Sequence, residues 1–166
     1  MRVVFYLFWM LLLTIFQPTL ARGIAVWGIA PNLFLCFVVM IGFFRGTTEG
    51  AICGAIFGLA YDILVGRMIG VSGLIYLYLG VGAGILGTRF FSGEKQLANF
   101  LGTIVASLIA GLMYYLARKA VGSDMGFGTA MFRIGMIEAI YNGVVGFLLA
   151  KPVRLSMRLL RIKQVS

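Results

Sequence analysis

Residues 50–66 read GAICGAIFGLAYDILVG. Only Asp62 in this stretch is charged. Glycines stand four apart at 50, 54 and 58, and the carboxylate follows at the next step of the same spacing. Residues four apart share one face of an α-helix. The stretch therefore predicts an apolar helix whose Gly50, Gly54 and Gly58 face lets another backbone approach closely, as small residues do between helices in lipid. Composition names the solvent. Of the 166 residues 61% are hydrophobic and 11% charged, and mean hydropathy is +1.04. An ordinary globular domain carries about 25% charge, and a soluble domain this small has too much surface to hide so many apolar side chains. Lipid has to be the solvent. At about 20 residues per spanning helix the length holds six or seven crossings with tight loops, and no folded domain outside them.

Working outward, the expected fold is all-α: a compact bundle of six transmembrane helices. Towards the N-terminus, residues 31–44 form a segment opened by Pro31 and Asn32, a good helix start, but short enough to need its flanks or a thinned bilayer to cross. Before it, residues 3–21 form the first span. Arg2 and Ala21 also fit the ends of a signal peptide, but the length of the run, its aromatics such as Trp9 and the five segments that follow argue for a retained helix. Trp27 in the link 22–30 suits a membrane interface. Residues 48–65 hold the quoted glycines, 68–91 a second glycine-rich helix with Gly80 and Gly84 as a close-packing pair, 97–117 a fifth span and 130–150 a sixth. Residues 151–166 form a basic tail.

The net charge of +9 suggests nucleic acid on a soluble protein. Here the basic residues cluster at segment ends, so they read as topology signals and no nucleic acid is expected. With six spans and the N-terminus inside, Arg2, Arg45, Arg89, Lys95, Lys151, Arg154, Arg158, Arg161 and Lys163 fall inside, against Arg22, Arg67, Arg118, Lys119 and Arg133 outside. That is the asymmetry of a cytoplasmic membrane protein with both termini in the cytoplasm. In the tail, Lys151, Arg154, Arg158 and Arg161 share one helical face and Leu155, Leu159, Leu160 and Ile162 the other. This pattern suits the headgroup plane of an anionic phospholipid leaflet; a docking site for a cytoplasmic filament protein is the sharper alternative.

The chain has no His, and so lacks the commonest general base and metal ligand. Cys36 and Cys53 are isolated in apolar runs and read as buried thiols. No Gly-x-Ser-x-Gly, P-loop or paired-Asp motif occurs. No enzyme, metal or cofactor is therefore expected. Two intramembrane carboxylates remain, and such groups are costly and normally paired. Asp62 reads as a charge near the outer boundary, either a helix-end charge or the centre of a pocket or partner contact, with Arg67 and Arg133 as candidate partners. Glu138 shares a stripe with Gly135, Asn142 and Gly146. It lies about 10 Å deep from the outer end, at 1.5 Å per residue. The stripe is either a structural bridge between helices through Asn142 or a ligand site.

The order of these features resembles the rod shape-determining protein MreD family of bacteria. The first segment ends in Leu13-Thr14-Ile15-Phe16-Gln17-Pro18-Thr19-Leu20, and the second opens with Pro31-Asn32-Leu33. Gly54 to Gly70 then spell Gly-x-x-x-Gly-Leu-x-x-Asp-x-x-x-Gly-x-x-x-Gly, followed by Leu74, and Asn142 falls where that family tends to carry Asn in its last span. The resemblance implies a place in the lateral wall-building complex of the bacterial inner membrane. The expected direct partner is MreC, a single-span protein with a periplasmic domain. MreB, a RodA-type glycosyltransferase and a class B penicillin-binding transpeptidase would act in the same complex. It also implies an architecture like the substrate-binding subunits of energy-coupling-factor vitamin transporters. Such a subunit is the alternative function, although the outward links offer few of the aromatics a vitamin pocket would use.

Overall fold

The computed structural model describes residues 2–23, 25, 28–66, 69–89, 95–122, 128 and 135–162. Those residues form six helices: α1 Arg2–Gly23, α2 Leu33–Arg45, α3 Thr47–Val65, α4 Val71–Arg89, α5 Lys95–Ala120 and α6 Ile137–Leu159. Four of them are long and apolar enough to cross a membrane over Arg2–Thr19, Thr47–Val65, Val71–Thr88 and Asn99–Ala120. This is an all-helical, multi-pass membrane protein. Its outward surface fits that solvent: Leu7, Leu11 and Ile15 of α1, Ile52, Ile56 and Ile63 of α3, and Leu101 and Val105 of α5 are all exposed.

The bundle is built around α2. From Phe34 to Arg45 every residue of this helix is buried, and it touches each of the other five helices. At 1.5 Å per residue its 13 residues reach about 20 Å, well short of the roughly 30 Å hydrocarbon core. This is the segment expected to need its flanks or a thinned bilayer to cross. α2 is uniformly apolar because it is the core, and lipid is kept from it by its neighbours.

Helices consecutive in the chain run in opposite directions, whereas α4 and α6 lie parallel to α2. α2 and α3 are joined by Gly46 alone, at φ +86°, a conformation that costs glycine little. α3 then lies antiparallel against α4 with almost no side chains between them. A Cβ at Gly50 would come within 3.0 Å of the Gly80 carbonyl, at Gly54 of the Tyr76 and Leu77 backbone, at Gly58 of Ser72 and Gly73, and at Gly84 of Thr47. Gly42 of α2 joins the same seam, where an added Cβ would lie 2.7 Å from the Gly80 oxygen. The glycines on both helices thus let two backbones touch.

The remaining helices depart from the expected boundaries. The segments expected at 68–91 and 97–117 form helices over 71–89 and 95–120. α6 continues unbroken through residue 150 to Leu159, so residues 151–159 extend a core helix; Val153 and Met157 are fully buried. The expected tail stripe changes accordingly. Arg154 is half-buried, Lys151 and Arg158 are exposed, and Arg161 lies beyond the helix end at φ +52°. Leu155 and Leu159, expected on the opposite, apolar face, are exposed. At that end α1 is tied to α6 by Trp9 Nε1, which donates to Ser156 Oγ at 3.1 Å, and Trp9 stacks on Phe37, with ring centres 5.3 Å apart.

Candidate functional site

The buried N-terminus of α2 sets the first requirement of the interior. A helix start leaves amide groups without partners, and in a dry core each needs one. Asn32 caps it: Oδ1 accepts from Leu35 N at 3.1 Å. Gln17, from α1, adds a second clasp. Its Nε2 donates to the Pro31 carbonyl at 3.0 Å and its Oε1 accepts from Leu33 N at 2.9 Å. The amide oxygen and nitrogen of one side chain thus satisfy an acceptor and a donor of the segment that enters α2.

From Asn32 the hydrogen bonds spread across the bundle. Its backbone N donates to Asn142 Oδ1 of α6 at 2.6 Å, and its Nδ2 donates to the Tyr76 hydroxyl of α4 at 2.5 Å. Asn142 Nδ2 donates to Ser107 Oγ of α5 at 3.0 Å, while the Asn142 carbonyl accepts from Cys36 Sγ at 3.3 Å. Ser107 and Thr103 bond back along α5, and Asn99 Nδ2 donates to the Gly146 carbonyl at 2.7 Å. Asn32, Tyr76, Asn99, Thr103 and Asn142 are all 0–2% exposed. Five helices, α1, α2, α4, α5 and α6, therefore meet in one layer of polar side chains. Gly143 and Gly146 allow α6 to sit against Ile104 and Thr103 of α5, which brings Asn142 into reach.

Asp62 holds the next layer. It is 0% exposed, which corrects the expectation of a boundary charge that still reaches water. Its Oδ2 accepts from Gly70 N at 2.9 Å and Ser72 N at 3.0 Å. The carboxylate thus caps the N-terminus of α4 from across the turn, where the helix dipole favours negative charge. Its Oδ1 is buried without a hydrogen-bond partner. The Ser72 hydroxyl bonds the Tyr114 hydroxyl of α5, so this layer also pins α4 to α5. Arg67 and Arg133, the expected partners of Asp62, lie outside the described residues. Glu138 is half-buried in the first turn of α6. Of these two carboxylates Asp62 is the more enclosed.

A third polar group closes the opposite end of α2. Arg45, with its side chain 4% exposed, grips Glu49 of α3 through Nε at 2.7 Å and through Nη2. Tyr6 of α1 donates to the same carboxylate at 2.5 Å, and Arg2 stands 3.7 Å away. Beside this group an apolar groove of about 310 Å³ opens between α1 and α3, lined by Leu7, Met10, Ile52 and Ile56 among others. Cys36 and Cys53 are buried free thiols, and among the described residues no cluster of His, Cys, Asp and Glu could hold a metal.

Sequence patterns single out Asn142 and Asp62 but not most of what they touch. Gln17, Tyr76, Asn99, Thr103 and Ser107 carry no local sign of their role, and Asn32 reads only as a helix start. One signal does exist. An apolar run of 10–14 residues more often marks a buried or re-entrant helix than a span, and here such a run is entered through a Pro-Asn pair.

Compared with known proteins, the chain matches the family model described as rod shape-determining protein MreD over residues 1–160. No curated protein and no solved structure matches it.

Proposed function

The chain belongs to the rod shape-determining protein MreD family, and on that premise we propose that it is a non-enzymatic scaffold of the bacterial cell-elongation complex. In this reading it binds MreC directly. It thereby supports lateral peptidoglycan synthesis by the RodA-type glycosyltransferase and the class B penicillin-binding transpeptidase, under the direction of MreB. The protein sits in the inner membrane with six crossings and both termini in the cytoplasm, an arrangement shared with energy-coupling-factor vitamin-binding subunits. Its basic end lies on the anionic leaflet.

The observation that carries the reading is the family match, which runs over residues 1–160. The interior is in keeping with it. Most of the polar groups at the centre of the bundle bond one another across helices, and such networks rigidify a core. A rigid body with a lipid-facing apolar surface suits a protein whose task is to hold partners in register.

The test is purification of the tagged chain from a bacterial membrane in mild detergent, paired with complementation of a strain lacking its own copy. Recovery of MreC together with restoration of rod shape is expected. A tightly bound vitamin in place of MreC, with cells remaining round, would overturn the scaffold reading in favour of transport.

A further inference from the structure

Arg154 of α6 lies one turn beyond Ala150. Its guanidinium carbon sits 5.0 Å from the centre of the Phe44 ring of α2. Its Nε and Nη2 atoms are buried and have no hydrogen-bond partner. Arginine cannot shed its proton to escape such a site, and a charge held away from water without an acceptor is costly. The ring face offsets part of that cost. Burial, and the like charge of Arg158 one turn further on, both act against the charged form.

No described carboxylate is placed to relieve it. Glu49 is taken by Arg45, Tyr6 and Arg2, and Asp62 caps α4. Glu138 lies sixteen residues back along α6, about 24 Å at 1.5 Å per residue. The two unpartnered nitrogens form the side-on edge of the guanidinium, whose parallel N–H groups match two oxygens of one phosphate or carboxylate. The surroundings choose between these. Leu155 and Leu159, flanking Arg158 on the same helix, are 58% and 75% exposed, which places hydrocarbon beside the cations. An anion joined to hydrocarbon at the end of a membrane helix is a phospholipid headgroup.

We propose that Arg154, with Arg158 beside it, is a binding site for the phosphate of an anionic phospholipid whose acyl chains cover Leu155 and Leu159. The residue as a whole is half-buried, and binding requires its guanidinium edge to turn from the Phe44 ring to the headgroup. This is a single built site, separate from diffuse attraction of the basic end to a charged leaflet. It rests on the reading that the basic end lies on the anionic leaflet, but not on the scaffold role, because neither MreC nor cell shape enters its test.

The experiment is native mass spectrometry of the purified full chain in zwitterionic detergent, titrated with phosphatidylglycerol, phosphatidylcholine or inorganic phosphate. The unaltered chain should bind one phosphatidylglycerol at least about tenfold more tightly than phosphatidylcholine, as expected for charge-assisted hydrogen bonds. Arg154→Gln should lose that preference. Arg154→Lys, which keeps a charge but not the paired N–H edge, should lose most of it, whereas Arg161→Gln should change it less than about twofold. Equal binding of the two lipids by the unaltered chain would overturn the site without recourse to any variant. So would equal losses for Arg154→Gln and Arg161→Gln, which would mean diffuse charge. Competition by inorganic phosphate at lipid-like concentrations would reassign the site to a free anion. Displacement of the lipid by a glutamate-rich peptide would reassign it to a protein partner.

Discussion

Replacing Asn142 by Ala removes the hub of the central polar layer. Two bonds are lost: the one accepted from Asn32 N at 2.6 Å and the one donated to Ser107 Oγ at 3.0 Å. They are not equivalent. Ser107 still donates to the Thr103 carbonyl and loses only an accepted bond, worth about 0.6 kcal/mol on average between membrane helices. The Asn32 amide, 2% exposed, is left with no acceptor, and an orphaned buried donor costs about 1–3 kcal/mol. The expected loss is about 2–4 kcal/mol. Asn99→Ala is the matched control. It deletes one bond, to the Gly146 carbonyl, and at the same time removes a buried oxygen, Asn99 Oδ1, that has no partner. Its cost should be about 0.6 kcal/mol or less. Reversible unfolding in mixed micelles reads both as differences in free energy. If Asn142→Ala is no more destabilising than Asn99→Ala, the central layer does not hold the bundle together and the reasoning fails.

Gly54→Ala drives a Cβ into the Tyr76 and Leu77 backbone and should cost about 1–3 kcal/mol as overpacking. Gly82→Ala, with nothing within 4 Å, should be neutral or gain up to about 1 kcal/mol in helix propensity; equal melting temperatures for the two would mean that α3 and α4 are not in backbone contact. Asp62→Ala strips the acceptor from Gly70 N and Ser72 N and should lower membrane abundance through a loss of about 2–4 kcal/mol. Asp62→Asn keeps an acceptor oxygen there and should preserve both abundance and rod shape on complementation; normal abundance with round cells would instead give the charge itself a direct role. Reporter fusions after Ser166 and within 123–127 should report the cytoplasm and the periplasm respectively. A periplasmic signal from the C-terminal fusion would refute the six-crossing topology.

The parts of this architecture that depend on neighbours along one helix are legible in the amino-acid sequence itself. Gly50, Gly54 and Gly58 announce a smooth face through their spacing alone, and that face lies on α4. What spacing cannot carry is a partnership across the chain. Tyr76 and Asn32 are 44 residues apart and Asn142 and Asn32 are 110 apart, and nothing local in Tyr76 or Ser107 distinguishes a cross-bundle bond from an ordinary polar residue in a span. Asp62 is legible as an expensive charge, but its role is not. Its partners are backbone amides, and backbone amides have no letter in a sequence. The burial of α2 is not legible in the same way, because a wholly apolar run looks the same whether lipid or protein surrounds it. Length alone separates the two, and the 13 residues of α2 are too few to cross unaided.

The burial of α2 has a consequence for how the chain is made. Ribosomes add about 5–20 residues each second, so roughly 5–20 s of synthesis separate Asn32 from the Asn142 side chain that satisfies it, 110 residues later. Leu33 N and Leu35 N find acceptors early, in Gln17 and Asn32, but for that interval lipid offers the Asn32 amide none. The last helix is what supplies one. A nascent chain cut short before α6 is therefore more than a protein lacking one segment. It carries an unfilled polar centre into the bilayer, and that defect is a ready mark by which membrane proteases can tell an unfinished copy from a finished one.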